Sequence, residues 1–245
     1  MTITAIVPVS PIKSHPDTSI LETTIESVRH HLPDAEIILT FDGVRPEQEH
    51  RRADYEEFIR RTLWLADHKW GNVCPLVFED HQHQTGMMRA ALEEIKTPLL
   101  FYVEHDTPLV TDREIGWDEV RWHTTNGTAN LIRFHHEVTI PPEHSHLMHG
   151  TYRGLIRTSQ WSQRPHVASV AYYRRLMESH FTPESKCFIE DVMHSVLSEA
   201  HKLDGIPGWQ QHRTFLYAIY PTNLRYTYHL DGRAGEDKFD DTQIF

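Results

Sequence analysis

The chain has 245 residues, 39% of them hydrophobic, and a formal net charge of −11. This length suits one α/β domain with a full core and is short for two. The negative charge argues against sequence-independent DNA binding, which depends on Lys and Arg. No apolar run reaches the roughly 20 residues of a membrane helix, and the N-terminus lacks a basic signal-peptide region. Cys74 and Cys187 form no Cys-x-x-Cys pair, so we expect a cytoplasmic protein.

The first half of the chain alternates between strand and helix patterns. The strands are short apolar runs, and the helices carry apolar residues at intervals of three and four. We predict strands at 2–7, 36–40, 75–78 and 99–103, with helices between them at 19–32, 46–67 and 86–96. This order is typical of a doubly wound, mostly parallel sheet flanked by helices.

The second half, residues 111–230, is less regular and predicts a smaller, mixed portion of the same domain. Its expected strands are 129–134, 152–156, 215–219 and 224–229, and its expected helices are 168–180 and 187–202. The last residues, 231–245, carry many acids, which predicts a flexible acidic tail.

Polar residues follow three of the predicted strands. The first strand leads to Ser10, the second to Asp42, and the fourth to Glu104 and Asp106. Ligands of open α/β sheets bind at the carboxyl ends of the strands, and two carboxylates spaced i and i+2 repel each other unless a counter-charge is present. Oxygen ligands favour Mg²⁺ or Mn²⁺. The sequence therefore predicts a divalent metal site at Glu104 and Asp106, completed by substrate phosphates.

The run from Gly86 through Arg89 to Glu104-His105-Asp106 resembles the family-two glycosyltransferases of the GT-A fold. In that family a helix bearing an Arg precedes an apolar strand that ends in Asp-x-Asp, and here Glu104 replaces the first Asp. The resemblance implies a Rossmann-like GT-A fold, with a donor-binding half at 1–110 and an acceptor-binding, catalytic half at 111–230. It also implies an inverting hexosyltransferase that uses a nucleotide-diphosphate sugar, most readily a UDP-sugar, with Mn²⁺ or Mg²⁺.

The same resemblance implies roles for individual residues. Donor binding falls to the following side chains: Pro8, Val9, Ser10, Asp42, Arg89, Glu104 and His105. Metal binding falls to Asp106 and Glu104, with His229 as the late histidine that completes the metal shell in some members. The run Phe188-Ile189-Glu190-Asp191 is similar to the family's Glu-Asp motif, which makes Asp191 the expected catalytic base and Glu190 the second candidate.

Structural roles compete with these assignments. Glu190 and Asp191 open a predicted helix, where acids offset the helix macrodipole. Asp42 begins a turn-like dipeptide, Arg89 suits an ion pair on a helix surface, and His229 suits a half-buried strand.

Three other segments carry candidate binding residues. In 161–166 an aromatic ring and a cation, Trp161 and Arg164, predict an acceptor-binding loop in which a sugar or base stacks on the indole. His144, His146 and His149 could bind zinc, but their spacing matches no strong zinc signature and favours an acceptor-side loop. A further pair could line the donor pocket: His81 and His83.

Several alternative functions remain open or are excluded by the sequence. A nucleotidyltransferase should carry a glycine-rich phosphate loop after the first strand, and no glycine precedes Gly43. A membrane polysaccharide synthase lacks support because no span is present and no Gln-x-x-Arg-Trp motif follows Asp191. A non-catalytic sugar-nucleotide or carbohydrate-binding protein stays open. The expected acceptor is a glycan, a protein, a metabolite or a hydroxymethylated pyrimidine in phage DNA. The arginines between Arg121 and Arg175 favour DNA as the acceptor, whereas the negative net charge argues against it.

Overall fold

A computed structural model describes residues 2–219 and 223–230, so the predicted acidic tail at 231–245 lies outside the described residues. Nine strands lie within these described residues: β1 (Ile3–Val9), β2 (Glu36–Phe41), β3 (Val73–Val77), β4 (Leu99–Tyr102), β5 (Leu131–Arg133), β6 (Met148–Tyr152), β7 (Leu155–Thr158), β8 (His166–Ser169) and β9 (Thr214–Tyr217). Seven α-helices accompany them: α1 (Ser19–His31), α2 (Arg52–Leu65), α3 (His83–Glu94), α4 (Trp117–Thr125), α5 (Val170–His180), α6 (Ile189–Asp204) and α7 (Ile206–His212). Short 3-10 segments lie at Pro46–Arg51 and Pro142–Leu147, and a π-helical turn at Ala66–Trp70 follows α2.

All nine strands form one sheet in the order β3-β2-β1-β4-β8-β5-β9-β7-β6. The β3-β2, β2-β1, β1-β4 and β5-β9 pairs are parallel. The β4-β8, β8-β5, β9-β7 and β7-β6 pairs are antiparallel. The prediction of an α/β sheet flanked by helices is confirmed, but the prediction of a mostly parallel sheet is not, because half of the strand pairs are antiparallel.

Helices cover both faces of the sheet, and each face has its own apolar core. One core packs α1, α2 and α4 against the sheet through residues such as Ile25, Phe58 and Val120. The other packs α3, α5 and α6 through Leu92, Leu176 and Met193. Because β1 is buried along its whole length, its sequence has the continuous apolar character of a central strand.

Three predicted elements of the second half are corrected by the structure. The helix predicted from 168 begins two residues too early, because Ala168 and Ser169 are the last residues of β8 and α5 begins at Val170. The strand predicted at 152–156 spans the turn of a hairpin, since β6 ends at Tyr152 and β7 begins at Leu155. The predicted strand 224–229 makes only isolated bridges within the described residues, at Arg225 and Thr227. We did not predict α4 or α7.

No helix in the described ranges is both long enough and apolar enough to cross a membrane.

Candidate functional site

A cleft of about 330 Å³ opens at the carboxyl ends of β1, β2 and β4. Eight residues assigned to the donor or the metal from the sequence line it: Pro8, Val9, Ser10, Asp42, Glu104, His105, Asp106 and His229. His83 lines it as well, whereas Arg89, Trp161, Arg164, Glu190 and Asp191 are not part of its wall. The topology therefore brings most of the predicted donor side into one cleft.

A slightly larger cavity, of about 400 Å³, lies near the amino end of β1. Its lining includes Ile3, Asp34 and Asn72 and none of the predicted site residues. Ligands of α/β sheets bind at the carboxyl ends of strands, so the smaller cleft with the convergent acids is the candidate site.

Glu104 lies on the floor of this cleft, two residues after the end of β4. Burial raises the pKa of its carboxyl group well above the ordinary range, and the neighbouring Asp106 charge raises this pKa further. Arg164 acts in the opposite direction, and Glu190 adds to the repulsion. The Glu104 Oε1 atom lies 3.5 Å from the Tyr102 hydroxyl and 3.4 Å from the Gln84 amide nitrogen. Hydrogen bonds of this length stabilise the negative charge of the Glu104 carboxylate only weakly. A cation bound at the floor of the cleft would therefore be stabilising.

Asp106 faces His229 across the cleft, with 3.4 Å between Asp106 Oδ2 and His229 Nε2. The late segment that carries His229 is held by backbone hydrogen bonds, because Leu230 N donates to Asp106 O at 2.7 Å and Tyr228 N to Pro108 O at 3.3 Å. Thr227 Oγ1 also donates to Pro108 O at 2.8 Å. The fold thus joins two residues that are far apart in sequence.

The donor set at this point fits an open metal site and not a closed protein cage. No group of three or more His, Cys, Asp or Glu side chains able to hold a metal occurs within residues 2–219 and 223–230. Mg²⁺ and similar ions are often held by one or two carboxylates, with substrate phosphates and water as the other ligands. Buried His105 Nε2 also has no hydrogen-bond partner. Asp106 and His229 could therefore hold a divalent ion together with a diphosphate.

Asp42 joins the cleft wall to the start of α3. Its buried carboxylate accepts hydrogen bonds from Gln82 N at 2.6 Å and His83 N at 3.2 Å, and its Oδ2 lies 2.7 Å from His81 Nδ1. The next residue, Gly43, is required by a close approach, because a Cβ there would lie 2.2 Å from the Asp80 carbonyl carbon. Asp42 therefore fixes the amino end of α3 beside the cleft. This structural role does not depend on a contact between Asp42 and a donor.

Gln84 was not identified from the sequence, yet it connects three elements around the cleft. Its Nε2 donates to the Tyr102 hydroxyl at 2.8 Å, and its Oε1 accepts from Ile189 N at 2.7 Å. These bonds tie α3 to the end of β4 and to the first residue of α6. Nothing in the local sequence distinguishes this glutamine, because both partners are remote along the chain.

Two aromatic residues of the cleft were also missed. Tyr102 precedes Glu104 by two positions, and the strand period of two gives a signal that both point to the same face. Phe188 is exposed and stands edge-on to the His83 ring, with 4.6 Å between the ring centroids. His83 itself has a positive φ of 58°, which is uncommon outside glycine. An aromatic wall therefore faces the predicted donor loop.

Glu190 and Asp191 lie in the first turn of α6 but in different surroundings. Glu190 is half-buried and its Oε2 accepts from Gln163 N at 2.9 Å. Its charge also raises the pKa of Arg133, which burial lowers to about 10. Asp191 is exposed, and its charge adds to the burial that raises the pKa of the Cys187 thiol. Asp191 lies three positions after the cleft residue Phe188, which is the N-cap of α6.

The acceptor-side prediction is corrected in part. Trp161 is only 2% exposed and its indole nitrogen donates to Gln163 Oε1 at 3.2 Å, so it offers no face on which a sugar or base could stack. Arg164 is half-buried, and its charge acts on Glu104, His135 and His136. Arg164 thus lies beside the cleft floor, whereas Trp161 belongs to the core.

Arg89 and the histidine-rich loop also have structural roles. Arg89 Nη2 donates to Phe181 O at 2.9 Å and Thr182 O at 2.7 Å, so it holds the end of α5 and does not face the donor cleft. His149 stacks on His201, with 3.5 Å between ring centroids, and its Nε2 lies 2.9 Å from Ser159 Oγ. The described part of the chain gives the proposed zinc cluster of His144, His146 and His149 no support.

No protein-family model and no curated protein sequence matches the chain. Solved structures do match in fold. A structure of S. aureus TarS 1-349 in complex with UDP-GlcNAc has a TM-score of 0.58 at 10% identity, covering 96% of this chain and 60% of that one. Another structure of S. aureus TarS 1-349 gives a TM-score of 0.58 at 9% identity, covering 94% of this chain and 60% of that one.

A second neighbour is GalNAc-T7 with UDP, GalNAc and Mn²⁺, with a TM-score of 0.56 at 14% identity over 97% of this chain and 45% of that one. The chain therefore spans about 60% of the TarS fragment and less than half of GalNAc-T7. Both neighbours are glycosyltransferases of GT-A-like architecture. At this level of identity the likeness establishes a shared fold.

Proposed function

We propose that this chain is a metal-dependent, inverting glycosyltransferase that moves a sugar from a UDP-sugar to an acceptor hydroxyl. The observation that carries the proposal is the placement of Asp106 against His229, at 3.4 Å, inside a cleft at the carboxyl ends of β1, β2 and β4. The UDP and Mn²⁺ present in structures of the same fold support the choice of donor and cofactor.

In this proposal the cleft divides into donor and metal positions. The loop Pro8-Val9-Ser10 and Asp42 border the nucleoside, while Glu104 and His105 lie toward the diphosphate. Asp106 and His229 would hold Mn²⁺ or Mg²⁺, with Glu104 close behind. When bound there, the ion would supply Lewis-acid stabilisation of the departing diphosphate. The raised pKa of Glu104, caused by burial and by Asp106, supports the need for a cation here.

The first turn of α6 supplies the proposed base. Asp191 has no hydrogen bond or ion pair within the described residues, is exposed, and follows the cleft residue Phe188, the N-cap of α6, by three positions. It can therefore accept a proton from an acceptor hydroxyl that enters from solvent, after which the oxygen attacks the anomeric carbon. Glu190, bonded to Gln163 N and acting on Arg133, positions the loop that carries Arg164.

Ligand-dependent thermal stability tests the donor and metal assignments. Thermal unfolding is measured with UDP and GDP, each with and without Mn²⁺, for the wild type, Asp106→Asn and Asp112→Asn. Asp112 is exposed six residues further on and serves as the matched control. A bound ligand raises stability by RT ln(1 + [L]/Kd), about 2.7 kcal/mol at 100 times Kd.

We expect stabilisation by UDP only with Mn²⁺, in the wild type and in Asp112→Asn but not in Asp106→Asn. A UDP effect that is independent of both Mn²⁺ and Asp106 contradicts the metal site. If the chain binds UDP but neither transfers nor hydrolyses the sugar of a UDP-sugar, and Asp191→Asn behaves in the same way, the chain is instead a non-catalytic sugar-nucleotide-binding protein.

A further inference from the structure

Arginine and aromatic side chains alternate across the β6–β7 hairpin, between α4 and α7. The guanidinium carbon of Arg153 lies 5.1 Å from the Trp122 ring centroid and 5.6 Å from that of Tyr152. The guanidinium carbon of Arg157 lies 5.6 Å from the Tyr152 ring and 5.6 Å from the Trp209 ring. All four distances are in the range of cation–π contacts. We refer to these five side chains as the arginine–aromatic ladder.

The ladder is open to solvent at one end and retains its positive charge. Trp122 is 49% exposed and Arg153 is exposed, while Tyr152 and Arg157 are half-buried and Trp209 is buried. In the part of the chain that the structure describes, neither arginine forms an ion pair with a carboxylate. Burial and the charge of Arg153 lower the pKa of the neighbouring His123, and the charge of Glu119 acts in the opposite direction. A local cationic surface therefore exists on a chain whose formal net charge is −11.

The backbone fixes the exposed end of the ladder. Tyr152 pairs with Leu155, so Arg153 and Gly154 form a two-residue hairpin loop, with φ values of 48° and 76°. Two positive φ values match a type I′ turn, whose twist suits adjacent antiparallel strands. A Cβ at Gly154 would lie 3.3 Å from the Ile219 Cα, which keeps this turn close to the end of β9. Arg153 is thus presented by a rigid turn.

The turn lies at the same edge of the sheet as the candidate cleft. β4 is antiparallel to β8, β8 is antiparallel to β5, and β5 is parallel to β9, so β4 and β9 have their carboxyl ends at one edge. Leu155 pairs with Tyr217 at that end of β9. Four strand spacings separate β4 from β7, about 19 Å at roughly 4.8 Å each. A polymer bound at the ladder can therefore extend to the cleft.

We propose that the arginine–aromatic ladder binds a nucleic-acid strand with unpaired bases. Phosphates contact Arg153 and Arg157, and a base stacks on the open face of Trp122. Proteins that bind single strands combine cations that follow the backbone with aromatic rings on which bases stack, and the ladder alternates these two groups. That the bound strand also carries the acceptor hydroxyl rests on the proposed glycosyltransferase function.

Fluorescence anisotropy of a fluorescein-labelled single-stranded oligodeoxynucleotide tests the ladder. The full chain carrying Asp106→Asn is used, so that binding is measured independently of catalysis. In Arg153→Gln/Arg157→Gln we expect the slope of log K against log salt to fall by about 1.4, since each phosphate contact on a single strand contributes roughly 0.7. Trp122→Ala is expected to weaken binding about 5- to 150-fold at constant salt, because stacking contributes roughly 1–3 kcal/mol per base.

Arg175→Gln is the matched control. Arg175 is exposed on α5 and lies 6.0 Å from the Tyr172 ring, so it forms an isolated pair of the same type, and its variant should bind like the parent. Circular dichroism and thermal melts confirm that each variant is folded.

Three results overturn the proposal: no salt-dependent binding by the parent, equal binding by the ladder variants, or an equal loss in Arg175→Gln. Binding of heparin with the same dependence on Trp122 identifies an acidic-glycan surface and also overturns it. If oligonucleotide binding depends on the ladder while UDP and Mn²⁺ fail to stabilise the wild type, the ladder stands and the transferase proposal fails. If UDP and Mn²⁺ stabilise the wild type while oligonucleotide binding does not depend on the ladder, the transferase proposal stands and the ladder proposal fails.

Discussion

At the scale of single residues, the two adjacent acids of the α6 amino end illustrate how neighbours in sequence acquire different surroundings. Glu190 is held by the backbone N–H of Gln163, whereas Asp191 is exposed beside the cleft residue Phe188. Both can offset the helix macrodipole, but only the free carboxylate can take a proton from an incoming hydroxyl.

We therefore expect Asp191→Asn to lower the rate of sugar transfer by about 10²- to 10⁴-fold, the usual contribution of a general base. Stabilisation of the variant by UDP and Mn²⁺ should be unchanged, since Asp191 does not line the donor cleft. The measurements are steady-state transfer rates and ligand-dependent melting.

Glu190→Gln serves as the comparison variant. It retains an acceptor oxygen for Gln163 N, so it should transfer sugar faster than Asp191→Asn. A larger loss in Glu190→Gln than in Asp191→Asn would assign the base to Glu190 instead.

At the scale of secondary-structure elements, the amide of Gln84 holds the cleft together. It joins α3, the end of β4 and the start of α6 through bonds of 2.8 Å to the Tyr102 hydroxyl and 2.7 Å to Ile189 N. Removing one partner of a buried hydrogen bond leaves the other unsatisfied, at about 1–3 kcal/mol per group.

Gln84→Ala should consequently lower the free energy of unfolding by about 2–6 kcal/mol, because two buried groups lose a partner. Gln210→Ala, at an exposed position of α7, is the matched control and should change stability by less than about 0.5 kcal/mol. Urea unfolding of both variants checks the difference, and equal stabilities would show that the link is not needed.

The sequence predicted the elements of the first half better than those of the second. From β1 to β4 each element follows its own apolar period, and the neighbouring strands are parallel with helices between them. The helix predicted at 168–180 includes the last two residues of β8, because this strand runs directly into α5. Its strand conformation depends on pairing with β4 on one side and β5 on the other, and no local period records those partners.

At the scale of the whole molecule, buried histidines connect stability to pH. His166, the first residue of β8, is fully buried. Its Nδ1 lies 2.8 Å from Arg164 O, and its Nε2 lies 2.8 Å from the Tyr173 hydroxyl. Because the carbonyl can only accept, Nδ1 carries the proton and Nε2 accepts from the tyrosine. Burial, aided by the charge of Arg133, lowers the pKa of His166 to about 4.

The sign of the pH effect follows from this lowered pKa. Above pH 6.5 the histidine is neutral in both the folded and the unfolded chain. As pH falls from about 6.5 toward 4, the unfolded chain binds a proton that folded His166 does not, so the unfolded state is favoured. The contribution of this group to stability is complete above pH 6.5 and is lost progressively below it.

We expect the wild type to lose stability between pH 6 and pH 5, and His166→Gln to reduce that slope by about 1 kcal/mol per pH unit. The measurement is urea unfolding at both pH values, with His50→Gln, at an exposed position, as the control whose slope should match the wild type. An unchanged slope in His166→Gln would show that His166 is protonated equally in both states.

Sequence alone determined the location of the acids and the general architecture. The apolar run before Glu104 and Asp106 indicates a buried strand that ends at the edge of the sheet, where the two carboxylates follow it. Strands that alternate with amphipathic helices favour an α/β sheet. These conclusions depend on local composition and period, which are visible in any short window of the chain.

Only the tertiary structure decided which distant residues join those acids. It set His229 against Asp106, connected Gln84 to α6, buried Trp161 in the core and turned Arg89 toward the end of α5. It also set Trp122 of α4 against the β6–β7 hairpin, which carries Tyr152 and two arginines. The physical reason is that each of these contacts depends on strand order and helix packing, which are fixed by burial over the whole domain and leave no mark in the spacing of nearby residues.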